Sequence, residues 1–189
     1  MSDMSAKNKL KIYPKSVICD DESVLIGDVT ISSGCLIHPH ATIHAKSGPI
    51  IVGENCLIEE YVTIVHDTGT VDLDNSGPTL VIGSNNVFEV GCTVEAAAIG
   101  ERNVFECKSY VSNLVTVSNN CVIGAGCQLV DEHHLPENTV IYGKRSEQRE
   151  TIEKQKSLSM QLDHLRKLLP NYHHIKKPTF DPKKPREIA

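Results

Sequence analysis

Residues 99–141 read IGERNVFECKSYVSNLVTVSNNCVIGAGCQLVDEHHLPENTVI, with an apolar side chain at every sixth position: Ile99, Phe105, Val111, Val117, Ile123, Leu129, Leu135 and Ile141. Neither the period of two of a half-buried strand nor the 3.6 of a helix gives this spacing. A coil of three short strands, six residues to a side and so about 18 to a coil, does give it. One step of five leads back from Ile99 to Val94, Phe88 and Ile82. Beyond two interruptions the series continues as Ile64, Ile58 and Val52, then Ile43, Ile37, Ile31, Leu25 and Cys19. A second set lies four residues after the first and is mostly small: Val29, Cys35, Ala41, Cys56, Val62, Cys92, Ala98, Ser109, Val115, Cys121 and Cys127. Each side of a coil is thus expected to send one large and one small side chain inward. Gly53, Gly83, Gly100 and Gly124 each follow a residue of the large series, where a turn is expected to need a conformation that bulkier residues resist. The sequence predicts an all-β fold, a single-stranded parallel β-helix over residues 1–143 whose stacked coils bury one another.

The composition fits that column. The chain has 189 residues, no Trp, three Phe and five Tyr, yet 40% of its residues are apolar. A narrow column filled by Val, Ile, Leu, Ala and Cys has no need of aromatic bulk. A net charge of −5 lacks the basic excess of a nucleic-acid footprint. No apolar run approaches the roughly 18 residues that a membrane helix requires, so membrane insertion is not expected. The opening residues, MSDMSAKNKLKIYPK, lack the apolar centre of a signal peptide, which places the seven cysteines in a reducing compartment.

Two stretches fall outside the repeat. Residues 65–81 (VHDTGTVDLDNSGPTLV) are polar and acidic and read as a loop projecting from a corner. Residues 144–175 read as a charged linker followed by an amphipathic helix, because Leu158, Leu162, Leu165 and Leu169 recur at spacings of four, three and four before Pro170. Ser157 or Ser159 is the expected cap. The stripe either packs on the side of the solenoid or helps to hold a partner. Residues 176–189 are rich in Lys and Pro and read as a flexible tail. A stack of coils also has two open ends whose strand edges must be covered or bound.

The candidate chemistry is sparse. Five cysteines sit in the small series and one, Cys19, in the large series, which makes them packing residues; Cys107 is off register and is the expected exposed thiol. No pair has zinc-ligand spacing. His38, His40, His44, His66, His133 and His134 suit metal or proton chemistry, but no single coil gathers three of them. Asp67, Asp72 and Asp74 with Asn75 and Gly77 lack the spacing and terminal Glu of a calcium loop.

The hexads resemble the left-handed β-helix superfamily of hexapeptide-repeat acyltransferases and γ-class carbonic anhydrases. Ile26-Gly27-Asp28-Val29-Thr30-Ile31, followed by His38-Pro39, resembles the anhydrase branch. Aligned on the hexad, that branch's Arg and Asp fall on His44 and Lys46, and its three zinc-binding histidines on Val65, Val90 and Glu95, with His66 one residue out of register. The resemblance therefore implies a degenerate metal site, no cofactor and no catalytic residue. A closer resemblance covers nearly the whole chain. It rests on Gly48-Pro49-Ile50, the run Asn55 to Glu60, the run Asn85 to Cys92, the run Pro136 to Gly143 and, outside the repeat, Leu169-Pro170-Asn171-Tyr172-His173-His174. Together these are similar to the dynactin subunit 6 family. That resemblance implies a non-catalytic, cytoplasmic, cytoskeleton-associated subunit of the dynactin pointed-end complex. It would pair with the related dynactin subunit 5, adjoin the other pointed-end subunits, and serve dynein–dynactin cargo attachment and microtubule-based transport. The leucine stripe and Asn171, Tyr172, His173 and His174 become the candidate partner-binding or helix-docking residues. Some members carry a proline-directed phosphorylation site in the tail, and this sequence has no Ser-Pro or Thr-Pro. The alternative is an enzyme: an acyltransferase whose base would be His38, His40 or His133, or a divergent γ-class anhydrase.

Overall fold

A computed structural model describes residues 9–69, 77–152 and 157–179. The first coil comprises β1 (Lys9–Ile12), β2 (Val17–Ile18) and β3 (Val24–Ile26), and the second β4 (Asp28–Ile31), β5 (Leu36–Ile37) and β6 (Thr42–Ala45). The third is β7 (Ile50–Val52), β8 (Leu57–Ile58) and β9 (Thr63–His66), and the fourth β10 (Leu80–Ile82), β11 (Val87–Phe88) and β12 (Thr93–Val94). The fifth is β13 (Ala98–Ile99), β14 (Val104–Phe105) and β15 (Tyr110–Val111), and the sixth β16 (Val115–Val117), β17 (Val122–Ile123) and β18 (Gln128–Leu129). A partial seventh follows with β19 (His133–Leu135), β20 (Thr139–Tyr142) and β21 (Glu147–Glu150); then come α1 (Ser159–Leu168) and a 3-10 turn (Leu169–Asn171). Like-placed strands pair in parallel into walls of seven, eight and six strands. This is the parallel β-solenoid that the hexads predict.

The large series forms the central column, from Ile31, Ile37 and Ile43 up to Ile123, Leu135 and Ile141. Its phase slips once. Ile18, not Cys19, enters the column in the first coil, and Cys19 lies on the outside, buried beneath the C-terminal segment. The seven-residue step from Ile18 to Leu25 hides that slip from a strict count of six. Likewise Ala96 takes the small inward place in the fourth coil and Ala98 faces solvent, because the step of five shortens the corner before β13. Two asparagines, Asn86 and Asn103, also take places in the small series. Asn86 donates to the carbonyls of Gly83 and Gly100 at 2.7 and 2.8 Å, and its own carbonyl oxygen accepts from Asn103 N at 2.8 Å. The Asn103 carbonyl oxygen in turn accepts from Cys121 N at 2.7 Å. A buried amide in this place bonds consecutive rungs and is satisfied by doing so.

Two of the three corners turn through left-handed residues stacked coil upon coil. One carries Gly34, Asn55, Asn85, Arg102, Asn120 and Asn138; the other carries His40, Tyr61, Gly91, Lys108 and Gly126. Apart from the extra residue between β2 and β3, the third corner absorbs the irregularities of the repeat, including the insertion between β9 and β10. Strand β9 runs on to His66 and β10 begins at Leu80, so the loop is shorter at both ends than 65–81. Asp72, Asp74 and Asn75 lie outside the described residues.

Gly53, Gly83 and Gly100 do not have positive φ. Their requirement is close approach of the rungs. A Cβ on Gly53 would come within 2.6 Å of the Gly83 carbonyl carbon, and one on Gly83 within 2.4 Å of the Gly100 oxygen. The expected turn conformation is therefore the wrong reason for the right residue.

The charged segment after Ile141 is not simply a linker. Strand β21 returns antiparallel along β20, pairing Ile141 with Gln148, and covers that edge of the last coil. Residues 153–156 and 180–189, and with the latter most of the expected tail, lie outside the described residues.

Candidate interaction surface and the degenerate metal positions

The eight-stranded wall carries a second row of apolar side chains on its outside, each just before a column residue: Val17, Leu36, Leu57, Val87 and Val104. Helix α1 lies on this row. Leu162, 2% exposed, and Leu169 are buried against it, and Leu158 and Leu165 pack at its margin. The leucine stripe thus docks on its own chain, and the outward row was the sequence signal for its seat. Neither serine supplies the helix cap. Leu158 occupies the N-cap position, and the Ser157 hydroxyl accepts from the Ser159 N–H at 3.3 Å. Arg166 fastens the helix, donating to the Gly34 carbonyl at 2.7 Å and pairing with Asp163 at 2.7 Å.

Beyond the helix the chain crosses the open edge of the first coil. Asp20 N donates to the His174 carbonyl, Lys176 N to Ile18 O and Thr179 N to Ile12 O, and Cys19 forms an antiparallel bridge with Ile175. Lys176 pairs with Asp20, and Asp21 takes His173 Nδ1 at 2.9 Å and His174 Nδ1 at 3.4 Å. Asn171 donates to Lys167 O, whereas Tyr172 is 75% exposed. Of the last four candidate residues, His173 and His174 hold the segment to the first coil and Tyr172 faces outward.

The histidine hydrogen bond is the first cause holding the Asp21 carboxyl below its ordinary value of 3.8. A depressed carboxylate stabilises the fold above its unfolded value and loses that contribution as the pH falls through the folded one. Backbone protection at Asp20 and Lys176 is therefore expected to drop as the pH falls below the ordinary carboxylate value, and Asp21→Asn to flatten that dependence. Amide exchange corrected for intrinsic rates measures both; an unchanged pH profile in the variant removes the role of Asp21.

The histidines are dispersed over different partners. His38 Nδ1 meets Glu60 at 2.8 Å, His40 pairs with Glu22 and stacks on Tyr61, and His66 Nε2 meets Pro78 O at 2.7 Å. His133 meets Gln148 and His134 meets Thr116. Burial, first, holds the His44 imidazole below its usual value.

His44 pairs in register with Val65 on the outside of the six-stranded wall, and the Ile64–Val94 pair brings Glu95 to the neighbouring rung. Val90 is at a corner, and Tyr110 OH donates to Glu95 at 3.1 Å. Two valines offer a metal no donor atom, so these positions do not fit zinc. Among the described residues, no group of three or more His, Cys, Asp or Glu could hold a metal ion.

Six cysteines are buried and Cys107 is exposed. The Cys107 thiol donates to Glu89 at 3.2 Å, and that bond is the first cause raising its pKa, while burial pushes the Cys19 thiol up to about 11. One thiol per chain is expected to react with a water-soluble disulfide reagent near pH ~8, and Glu89→Gln to accelerate it by favouring the thiolate. Fast labelling of two or more native thiols contradicts the packing assignment.

The geometry defines a class, the hexapeptide-repeat β-solenoid carrying a helix and a returning C-terminal segment. The UDP-N-acetylglucosamine O-acyltransferase of Moraxella catarrhalis shares the solenoid, with a TM-score of 0.52 at 15% identity over 75% of this chain and 70% of that one. No family model matches the chain. Among curated relatives, dynactin subunit 6 of Nematostella vectensis is 46% identical over 89% of this chain and 93% of its own length, and that of Xenopus tropicalis is 46% identical over 93% and 90%. The chain belongs to the dynactin subunit 6 family. Enzymes lie farther away: the carbonic anhydrase of Methanosarcina thermophila is 25% identical over 65% of this chain and 56% of its own.

Proposed function

We propose that the protein is a non-catalytic structural subunit of the dynactin pointed-end complex. In this reading it pairs with the related β-helix subunit, dynactin subunit 5, and supports attachment of cargo to dynein–dynactin and microtubule-based transport from the cytoplasm. The observation that carries the reading is the contrast between an intact fold and a lost site. The column continues from coil to coil, and the helix and C-terminal segment brace its first coil. The positions where the anhydrase branch holds zinc are Val65, Val90 and Glu95. A rigid wall of this kind loses little conformational entropy on association, which suits a subunit that positions others. Leu158, Leu162, Leu165 and Leu169 act by setting the helix, and Tyr172, exposed together with Asn171 and His174, is the large apolar side chain of the set available to a partner. The test is metal analysis combined with mass in solution. A metal-free chain that joins dynactin subunit 5 in a stable complex supports the proposal, and a zinc-loaded homotrimer overturns it.

A further inference from the structure

The corner between the eight- and six-stranded walls carries one left-handed residue per coil, and their side chains form a row along the outside. Strand register puts His40, Tyr61, Gly91, Lys108 and Gly126 on successive rungs. The His40 and Tyr61 rings stack at 4.8 Å with planes 1° apart, one rung spacing from centre to centre. Tyr61 is 60% exposed, and Gly91 on the next rung brings no side chain to cover its second face. Among the described residues, a Cβ on Gly91 would meet only Lys108 Cγ, at 3.6 Å, so packing does not forbid a side chain there. The row therefore skips one place. The Tyr61 and Lys108 rungs are two spacings apart, ~9.6 Å, and a planar ring midway would lie ~4.8 Å from each. Tyr61 holds its place at a φ of 60°, where a bulky residue is uncommon, so an exposed ring is kept at a position that suits glycine better.

The rim of this slot is acidic. Glu60 adjoins Tyr61. Glu59 Oε2 accepts from Val90 N at 3.2 Å and Glu89 Oε2 from Cys107 N at 3.1 Å, which sets carboxylates beside the residues preceding Gly91 and Lys108. Burial first, with the Glu89 and Glu60 charges adding to it, raises the Glu59 carboxyl above its ordinary value. Val90, 37% exposed, adds apolar surface at the mouth. The carboxylates repel phosphate and so disfavour a nucleotide, whereas cationic residues on either side of an inserted ring would meet them. We propose that the slot beside Gly91 takes an aromatic side chain from a partner protein segment in which that residue is flanked by Lys or Arg. One face of the ring extends the His40–Tyr61 stack, and the other receives the Lys108 side chain. This inference stands apart from the pairing proposed above.

The experiment uses the full chain and the probe peptide acetyl-Lys-Trp-Lys-amide. The chain has no Trp, so the indole fluorescence of the probe reports its own binding. A saturable change in that signal is expected, with the Val90, Gly91 and Lys108 amides shifting in the nuclear magnetic resonance spectrum. Gly91→His fills the vacant place with the ring that the row already carries at His40. Tyr61→Gly removes the platform, leaving the residue that the row carries at Gly91 and Gly126. Each is expected to weaken binding at least about threefold. Both replacements suit a left-handed corner, so both variants are expected to fold as the parent does, which circular dichroism checks. Acetyl-Glu-Trp-Glu-amide is expected to bind more weakly, and acetyl-Lys-Ala-Lys-amide to leave the Gly91 amide unshifted. Equal binding of the glutamate peptide overturns the basic flanks. Equal shifts with the alanine peptide overturn the slot and leave only attraction to the acidic rim. Absence of saturable binding by the parent, or parental affinity in both folded variants, overturns the proposal.

Discussion

Phe88→Ala is expected to lower the unfolding free energy by about 3–5 kcal/mol, among the largest losses any single substitution produces. Phe88 and Phe105 are both fully buried, on successive rungs of the column. Their rings stack at 4.8 Å with planes 3° apart. The neighbours above and below, Ile123 and Ile58, are fixed by strand register and cannot move in to fill the space. A cavity therefore persists, and its cost adds to the lost burial. Because each coil touches only its neighbours, weakening the middle of the stack also loosens the coupling between its halves. Urea unfolding is expected to show both the lower midpoint and a shallower transition. A loss below about 1 kcal/mol would mean that the column repacks, contrary to the rigid register described.

Leu162→Asp is expected to detach the whole C-terminal brace and leave the solenoid folded. Leu162 is the one buried residue of α1, seated against Leu36, Leu57 and Val87. An isolated helix of this length is marginal in water, so its stability comes from that seat. Truncation alone costs about 2–5 kcal/mol at such a site, and a carboxylate placed there adds its desolvation. With the helix free, residues 174–179 lose the anchor that holds them along the first coil. The Asp20 and Lys176 amides, which pair across that edge, are expected to lose protection, while Ile123 and Phe105 in the middle of the stack keep theirs. Retained protection at Asp20 would show that the edge strand holds without the helix.

The period of six made the solenoid legible, because burial of alternate side chains on a three-sided coil writes itself directly into residue type. What escaped that reading had local physical causes. Cys19 was apolar and in step, but the first corner holds one residue more than a hexad allows, and Ile18 took the inward place. Ala96, Ala97 and Ala98 are identical side chains, so composition could not mark which one a shortened corner turns inward. The pattern marks Gly53, Gly83 and Gly100 as necessary, yet rung-to-rung distance and not turn conformation demands them. The seat of the helix was written in Leu36, Leu57, Val87 and Val104, which read as neighbours of the inward series until the helix lay on them. Hydrogen bonds from residues 174–179 to the first coil join backbone groups more than 150 positions apart, and no sequence pattern encodes such pairing. The candidate site was legible chiefly as a loss, through the valines at Val65 and Val90, and the slot beside Gly91 emerged only once the register aligned Tyr61, Gly91 and Lys108.

The role proposed for this solenoid is that of a subunit and not of an enzyme. Native mass spectrometry of the tagged chain recovered from cytosol tests it most directly. The expected result is one copy of the chain, without zinc, in an assembly that contains dynactin subunit 5 and other dynactin components. A metal-loaded homotrimer, free of every dynactin component, would contradict it.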